Sequence, residues 1–324
     1  MTREGNPSEA RRGELEITED KMENIIETRA LTKRFGRFKA TDDISLSVKK
    51  GEIFGFLGLN GAGKTTTIRM LLGMIRPTSG ESYLNGQMVS ANNCALWKNV
   101  GYLVEIPYSY PELTVQENLE IIRRLRFISN PGAIEAVIEK LHLGQYRDRK
   151  ASQLSLGNAQ RLGLAKAIMH NPEILILDEP ANGLDPAGIV EIRELILDLA
   201  HNHGTTVFIS SHILGEISKF ATRIGIIHEG KLIQELNTDK LEILRKKRLL
   251  VDVRDKKSAM AFLTKQGFDA AIVDHDVFEI TGNNALDCPD KVNALLVNSG
   301  NSPSMLKVEV EDLETYFLRV IGKN

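Results

Sequence analysis

The chain has 324 residues, of which 42% are hydrophobic and 26% charged, and its formal net charge at pH 7 is −2. Such a composition is ordinary for a soluble globular protein with one large domain and room for a smaller one, and a charge this close to zero excludes a general attraction to nucleic acid. No apolar run is long enough to cross a bilayer, and the N-terminus lacks the apolar core of a secretory signal, so a membrane role would require a partner. Cys94 and Cys288 fit no metal-ligand spacing and are interpreted as free thiols.

The N-terminal quarter predicts a polar extension, a small sheet and a buried strand. Residues 1–23 are mostly polar and are expected to be disordered. Between Ile25 and Val48, short apolar clusters with charged interruptions favour an antiparallel sheet. After a turn at 49–52, the apolar run 53–57 is typical of a buried parallel strand.

A glycine-rich loop follows this strand directly and fits G-x-x-x-x-G-K-[ST], the phosphate-binding loop. Glycines let backbone N–H groups surround phosphates, and a helix predicted over 64–75 adds the positive end of its dipole. Lys64 is expected to reach the β- and γ-phosphates, and the Thr65 hydroxyl to ligate Mg²⁺. The predicted nucleotide-binding residues are Gly58, Leu59, Asn60, Gly61, Ala62, Gly63, Lys64, Thr65 and Thr66.

The next hundred residues predict a hairpin, a strand and a helical insert. After a turn at 76–80, Asn85-Gly86 marks the tip of a hairpin over 83–87. A strand is expected over 100–104. The segment 108–142 is helix-rich, with a capping box formed by Thr114 and Glu117, and another helix is expected over 158–170.

A second chemical motif consists of the apolar strand 174–177 followed by Asp178 and Glu179. An Asp at the end of such a strand can hold Mg²⁺, partly through water. The next carboxylate points toward the γ-phosphate, where it can orient or deprotonate the attacking water. Glu179 is therefore the predicted catalytic base, and Asp178 a predicted metal ligand.

His212 follows another predicted strand, 205–210, after a helix over 188–201. At the carboxyl edge of a parallel sheet, where α/β proteins bind ligands, its ring is in a position to hydrogen-bond the γ-phosphate. A last strand of the large domain is expected over 224–228. The alternation of strands and helices predicts a mainly parallel sheet covered on both faces. The histidines interpreted as structural are His142, His170, His201, His203 and His228.

Beyond about residue 238 the composition changes, and the elements predict a small separate α+β domain. The expected order is strand 249–253, helix 259–265, strands 270–274 and 277–280, helix 291–297, strand 306–310 and helix 313–321. The predicted division is therefore an extension at 1–23, an ATPase domain at 24–238 and an accessory domain at 239–324.

The run Leu-Ser-Leu-Gly-Asn-Ala-Gln-Arg over 154–161 precedes a helix and is consistent either with an ordinary N-cap or with a second anion site. Together with the glycine loop, Asp-Glu-Pro, Gly-Leu-Asp and Ser-Ser-His, it makes residues 24–235 resemble an ATP-binding-cassette (ABC) ATPase. The resemblance implies an α/β phosphate-loop NTPase fold with a helical insert and a small antiparallel β subdomain. It also implies that two subunits sandwich ATP, with Ser155 and Gly157 facing the γ-phosphate of the other subunit.

Two further residues receive roles from the resemblance. Asp185, in Asn-Gly-Leu-Asp, matches the loop that crosses the dimer interface. Phe35, in Thr-Lys-Arg-Phe-Gly, matches the aromatic residue that stacks on adenine, although an aromatic near a turn often serves packing alone.

The chain departs from the usual family pattern at two positions. Glu105 stands where the family usually has Gln at the end of the strand before the insert, and a carboxylate offers only acceptors and a charge. Glu105 is expected to remain able to ligate Mg²⁺. The second departure is in the run over 154–158, called the signature in this family, which reads Leu-Ser-Leu-Gly-Asn rather than Leu-Ser-Gly-Gly-Gln. Both departures resemble the bacitracin- and lantibiotic-resistance branch of drug exporters.

The resemblance implies an ATPase that uses ATP and Mg²⁺ and acts at the cytoplasmic face of the membrane with an integral membrane permease. It would pair as a homodimer or cassette heterodimer, export an antimicrobial peptide or drug, and bind no nucleic acid. One alternative is a cassette ATPase acting on nucleic acid or ribosomes; another is a different phosphate-loop enzyme, such as a kinase or GTPase. Strong GTP selectivity would argue against the transporter.

Overall fold

The computed structural model describes residues 23–90, 92–105, 107–274 and 277–322. The extension predicted for residues 1–23 therefore lies outside the described residues, apart from Glu23. The strands are β1 (Asn24–Phe35), β2 (Phe38–Lys49), β3 (Ile53–Leu57), β4 (Ser79–Leu84), β5 (Gln87–Met88), β6 (Val100–Leu103), β7 (Ile174–Asp178), β8 (Thr206–Ser211), β9 (Arg223–His228), β10 (Lys231–Asn237), β11 (Lys247–Val253), β12 (Asp269–Asp274), β13 (Val277–Thr281) and β14 (Pro303–Val310). The helices are α1 (Lys64–Leu71), α2 (Val115–Leu125), α3 (Ala133–Lys140), α4 (Leu156–Ile168), α5 (Pro186–His203), α6 (Leu214–Ile217), α7 (Leu241–Leu244), α8 (Lys256–Lys265), α9 (Asn283–Leu286), α10 (Pro289–Asn298) and α11 (Leu313–Val320).

A six-stranded sheet in the order β10-β9-β3-β8-β7-β6 forms the centre of the molecule. All its strand pairs are parallel except β9–β10. Alternate residues of β3 enter opposite cores: Ile53 and Leu57 belong to one buried cluster, and Phe54 and Phe56 to the other. The prediction of a mainly parallel sheet covered on both faces is confirmed, because the central strands β3, β7 and β8 are buried at every position.

The N-terminal sheet, in the order β2-β1-β4-β5, is antiparallel and packs over α1. The predicted hairpin is confirmed: Asn85 and Gly86, with φ of 50° and 69°, form the turn between β4 and β5. The predicted turn over 76–80 is too long, because β4 begins at Ser79, which pairs with Thr32 of β1.

Helices α2, α3 and α4 form the helical insert beside β6 and β7. Its first helix begins as the sequence indicates: the Thr114 hydroxyl accepts a hydrogen bond from the Glu117 N–H, and the Glu117 carboxylate accepts one from the Thr114 N–H. This reciprocal pair satisfies two N–H groups that the helix start leaves free.

Three details differ from the sequence-based expectations. Helix α1 ends at Leu71 rather than residue 75, because Gly73 adopts a left-handed conformation with φ of 64° that ends the helix. Strand β10 was not predicted, and it closes the sheet edge beside β9. Helices α6, α7 and α9 were likewise missed; each is a single turn, too short to leave a periodic pattern.

The C-terminal strands form a third sheet, β12-β13-β11-β14, which is antiparallel and has its own apolar core. That core contains Leu249, Leu263, Phe278 and Val292, all fully buried. The last helix, α11, behaves differently. Its buried residues Tyr316 and Phe317 belong to the core cluster of the central sheet.

Within the described ranges, no helix combines the length and the apolar character that a membrane crossing needs.

Candidate active site

The phosphate-binding loop joins β3 to α1, and at two of its glycines a side chain would collide with neighbouring backbone. A Cβ on Gly63, where φ is 111°, would lie 2.5 Å from the Ala40 carbonyl oxygen. A Cβ on Gly58 would lie 2.6 Å from the Ile227 carbonyl oxygen, whereas Gly61 faces open space. Gly63 also caps α1 without a side-chain hydrogen bond, so the first N–H groups of this helix are left for an anion.

Lys64 is buried and lies across the loop. Its Nζ donates a hydrogen bond to the Gly58 carbonyl oxygen at 2.6 Å and lies 3.1 Å from Oε1 of Glu179. The side chain is therefore held between the loop backbone and the carboxylate after β7. A phosphate group on the loop would meet an ammonium that is already in position.

Asp178 ends β7 and is buried, with both carboxylate oxygens engaged. The Thr65 hydroxyl donates to Oδ2 at 2.7 Å, and the Ser210 hydroxyl donates to Oδ1 at 2.5 Å. The described residues contain no group of three His, Cys, Asp or Glu side chains that would hold a metal alone. An adjacent hydroxyl and carboxylate nevertheless fit Mg²⁺, which usually takes one or two protein ligands together with phosphate oxygens and water.

Glu179 and His212 come together at the carboxyl edge of the sheet. Nδ1 of His212 lies 2.8 Å from Oε2 of Glu179. Oε1 is buried and accepts no hydrogen bond within the described residues, although Lys64 Nζ is near. The backbone of Glu179 has φ of 50°, an uncommon conformation for a residue other than glycine, and its N–H donates to Ser210. The carboxylate is therefore oriented from both sides, by His212 at Oε2 and by the Lys64 ammonium near Oε1.

Ser155, Gly157 and Asp185 form a second group at the starts of α4 and α5. The Ser155 hydroxyl accepts a hydrogen bond from the Asn158 N–H at 3.4 Å, and Asp185 accepts one from the Gly188 N–H at 2.9 Å. A Cβ on Gly157 would contact Leu184 at 3.3 Å. The signature turn at 155–157 thus packs against the loop that carries Asp185, and the side chains of Ser155 and Asp185 cap α4 and α5.

Glu105 and Phe35 lie outside these two groups. Glu105, with φ of 55°, pairs with Arg69 of α1 at 2.7 Å, and both side chains are partly exposed. The Phe35 ring at the end of β1 is half-exposed, with Lys33 Nζ 5.2 Å from its centre. An exposed ring is able to stack on a base. The roles of Glu105 as metal ligand and of Phe35 as adenine contact stay predictions.

Two residues of this region were missed by sequence reasoning. Ser210 holds both Asp178 and the Glu179 backbone, and its only signal is its position at the carboxyl end of β8, next to β7. Arg69 pairs with Glu105 from 36 positions away, and no local pattern indicates this.

The structure gives His170 the packing role that was expected. Burial, with a smaller contribution from the nearby Arg126 charge, lowers the pKa of His170 to about 4. The ring is therefore neutral at pH 7 and packs where β6 meets the end of α4.

Comparisons with known proteins agree with this geometry. Residues 41–182 match the model of the ABC transporter family. The chain is 43% identical to the bacitracin transport ATP-binding protein BcrA of Bacillus licheniformis, over 93% of this chain and 98% of the relative. It is 36% identical to the lantibiotic transport ATP-binding protein SrtF of Streptococcus pyogenes, over 68% of this chain and 94% of the relative.

Solved structures resemble the same part of the chain. A dimeric bacterial ABC transporter cassette superposes with a TM-score of 0.61 at 26% identity, covering 66% of this chain and 98% of that one. An ATP-binding subunit of an ABC transporter superposes with a TM-score of 0.61 at 25% identity, covering 68% and 91%.

Proposed function

Because this chain belongs to the ATP-binding proteins of the ABC transporter family, we propose that it powers the export of an antimicrobial peptide or drug through a separate membrane permease. It is a nucleotide-binding ATPase of an exporter. The observation that carries the proposal is the convergence of Lys64, Glu179 and His212 in a chain of which 93% aligns with BcrA. Its bacitracin- and lantibiotic-transporting relatives favour a peptide cargo.

The residues divide the reaction among them. Lys64 and the loop N–H groups bind the β- and γ-phosphates, and the exposed Phe35 ring stacks on adenine. Glu179 accepts a proton from the attacking water, and His212 holds Oε2 and approaches the γ-phosphate. Thr65 and Asp178, with Glu105 as a further candidate, would hold Mg²⁺, which supplies positive charge to the phosphate oxygens.

The second group, Ser155, Gly157 and Asp185, is expected to work across a dimer. Dimeric cassettes are among the similar structures, and a helix start with a Ser cap and a Gly suits the γ-phosphate of a second subunit. The partner cassette is either a second copy of this chain or a homologue.

Replacing Gly157 with Asp should abolish ATP-dependent dimerisation of the Glu179→Gln protein while leaving ATP binding by the monomer unchanged. The added carboxylate would repel the γ-phosphate of the opposite subunit, and Gly157 lies at the start of α4, outside the subunit's own phosphate loop. Size-exclusion chromatography with light scattering measures the dimer. Gly144→Asp, at an open surface position, is the matched control. A full ATP-dependent dimer of the Gly157→Asp protein would contradict the role of the signature.

A groove between the central sheet and the helical insert is the surface proposed for the permease. It has a volume of about 560 Å³ and is lined by the exposed apolar residues Met74, Tyr102, Tyr108 and Leu125 together with Arg69 and Glu105. Exposed apolar surface of this kind usually marks an interaction site. We expect the permease's cytoplasmic helices to dock here, which places the chain peripherally on the cytoplasmic face of the membrane.

The experiment that tests the proposed function is a pull-down of the tagged chain from detergent-solubilised membranes of its native cell, read by mass spectrometry. A hydrophobic, multi-span partner is the expected result. Recovery of soluble or ribosomal proteins alone would contradict it and favour the cassette ATPases that act on nucleic acid or ribosomes.

In the same pull-down, Tyr108→Glu should reduce capture of the permease about tenfold, because it introduces a charge on the apolar wall of the groove. A tenfold loss corresponds to about 1.4 kcal/mol of binding free energy, which is typical of an important interface residue. ATP hydrolysis by the isolated chain should not change. Ile243→Glu is the control, because Ile243 is equally exposed but lies on α7, away from the groove. Equal capture by both variants would show that the permease docks elsewhere.

The domain division is part of the proposal. Residues 24–238 form the ATPase domain, and residues 239–324 an accessory domain whose sheet has a core of its own.

A further inference from the structure

The closing helix of the chain packs on the ATPase domain rather than on the accessory core. Tyr316 and Phe317 of α11, with Ile321 at its end, are buried in the cluster that also contains Leu214 and Ile217 of α6. Helices α11 and α6 are in contact. The accessory core, within the described residues, takes its members from β11, β13, β14 and the helices α8 to α10, together with neighbouring residues, and from none of α11.

Helix α6 lies directly beside the catalytic group. It begins two residues after His212, whose Nδ1 is 2.8 Å from Glu179. On its inner side, Ile217 packs tightly on β3: a Cβ on Gly55 would lie 2.3 Å from Cγ2 of Ile217. Helix α6 is thus held between α11 and the strand that leads into the phosphate loop.

Polar contacts fix α11 along its axis. The Tyr316 hydroxyl donates to Gln234 Oε1 of β10 at 3.2 Å. Arg319 pairs with Glu311 at 2.7 Å, donates to the Leu244 carbonyl oxygen, and stacks 5.2 Å from the centre of the Tyr316 ring. Burial raises the pKa of Tyr316, so the hydroxyl remains a donor throughout the physiological range. Tyr316 therefore ties α11 to β10, and Arg319 ties it to the linker at α7.

We propose that Tyr316 is a positioning residue for ATP hydrolysis: through α11 it fixes α6, and through α6 it holds His212 in register with Glu179. The inference rests on the proposed catalytic role of His212. A four-residue helix has too few internal hydrogen bonds to keep its own place, so its position is set by what packs against it. The accessory domain acts on hydrolysis through this contact, because β14 leads into α11 after two residues.

The test uses the full-length chain with Tyr316→Ala and Tyr316→Phe. The alanine variant should lose about tenfold in kcat, since small displacements of catalytic groups have effects of this size or larger, while KM for ATP stays within about twofold. The phenylalanine variant keeps the ring and should retain at least about half of the kcat, because it loses only the hydrogen bond to Gln234. An unchanged kcat in the alanine variant would overturn the proposal.

A double-mutant cycle separates positioning from general damage. If Tyr316 acts through His212, then Tyr316→Ala in a His212→Ala background should lower kcat by less than about twofold, because coupled sites are not additive. The same tenfold loss in both backgrounds would exclude the route through His212. If His212→Ala alone leaves kcat unchanged, the proposed catalytic role of His212 is wrong. This outcome separates a failure of the proposed function from a failure of the inference about Tyr316.

A stability control completes the experiment. Ile138→Ala, in the buried face of α3, removes a comparable core contact far from α6 and should lower Tm without lowering kcat at 20–25 °C. If Tyr316→Ala does not fold, the milder Tyr316→Leu carries the same kinetic expectation. If the Ile138 variant loses as much kcat as the Tyr316 variant, the loss comes from general destabilisation and Tyr316 is not a positioning residue.

Discussion

Replacing Glu179 with Gln should lower kcat for ATP hydrolysis by about 10³-fold, within the range that general acid–base catalysis contributes. The amide keeps the shape of the side chain and its contact with His212, but it cannot take a proton from water. ATP binding should persist within about threefold, since Lys64 and the loop remain intact. Turnover is followed by phosphate release, and binding by calorimetry.

The same variant should accumulate as a dimer on ATP, because the bound nucleotide is no longer consumed. Glu173→Gln is the matched control: Glu173 lies just before β7 and contacts Asn85 and Asn99 at the surface. Its hydrolysis rate should equal that of the parent. Hydrolysis at the parental rate in the Glu179 variant would show that another group is the base.

Replacing Lys64 with Ala should weaken ATP binding about 100-fold, which corresponds to a hydrogen bond to a charged group of roughly 3 kcal/mol. The ammonium is buried between the Gly58 carbonyl oxygen and Glu179, so its removal takes away a charge that is already held at the loop. Glu179 would also lose its compensating charge and oppose an anionic ligand. Hydrolysis should fall below detection at ATP concentrations that saturate the parent.

Calorimetric titration with ATP measures this effect, and Lys98→Ala, at an exposed position before β6, is the control. The two variants thus separate the steps of the reaction: the Glu179 variant binds and does not turn over, and the Lys64 variant does not bind. Parental ATP affinity in the Lys64 variant would place the phosphates elsewhere.

The nucleotide loop was predictable because its parts are contiguous. Strand, glycine turn and helix start follow one another within about 20 residues, and each has a local signal in residue type. The capping box at Thr114 and the hairpin turn at Asn85 were predictable for the same reason, since a turn or a cap is formed by residues close in sequence.

Contacts between distant segments were not predictable in this way. His212 and Glu179 were both expected at the carboxyl edge of the sheet, but their 2.8 Å contact depends on β7 and β8 being neighbours with Asp178 opposite Ser210. The same register gives Ser210 its role. The role of Glu105 as a metal ligand stays a prediction, and its ion pair with Arg69 of α1 had no signal in the local sequence.

Helix α11 shows most clearly what local sequence could not predict. Its apolar periodicity predicted a helix over 313–321, within one residue of the observed end at Val320. The periodicity did not say which of two apolar cores the helix would join, because an amphipathic face is equally suited to either.

The amino-acid sequence by itself determined the fold family and predicted the phosphate loop, a catalytic carboxylate and an accessory domain, since these depend on contiguous motifs and local periodicity. The tertiary structure alone decided that His212 reaches Glu179, that Glu105 pairs with Arg69, and that Tyr316 enters the core beside α6. The physical reason is that strand order, register and the choice of packing partner are set by competition among distant apolar surfaces, which no short stretch of sequence records.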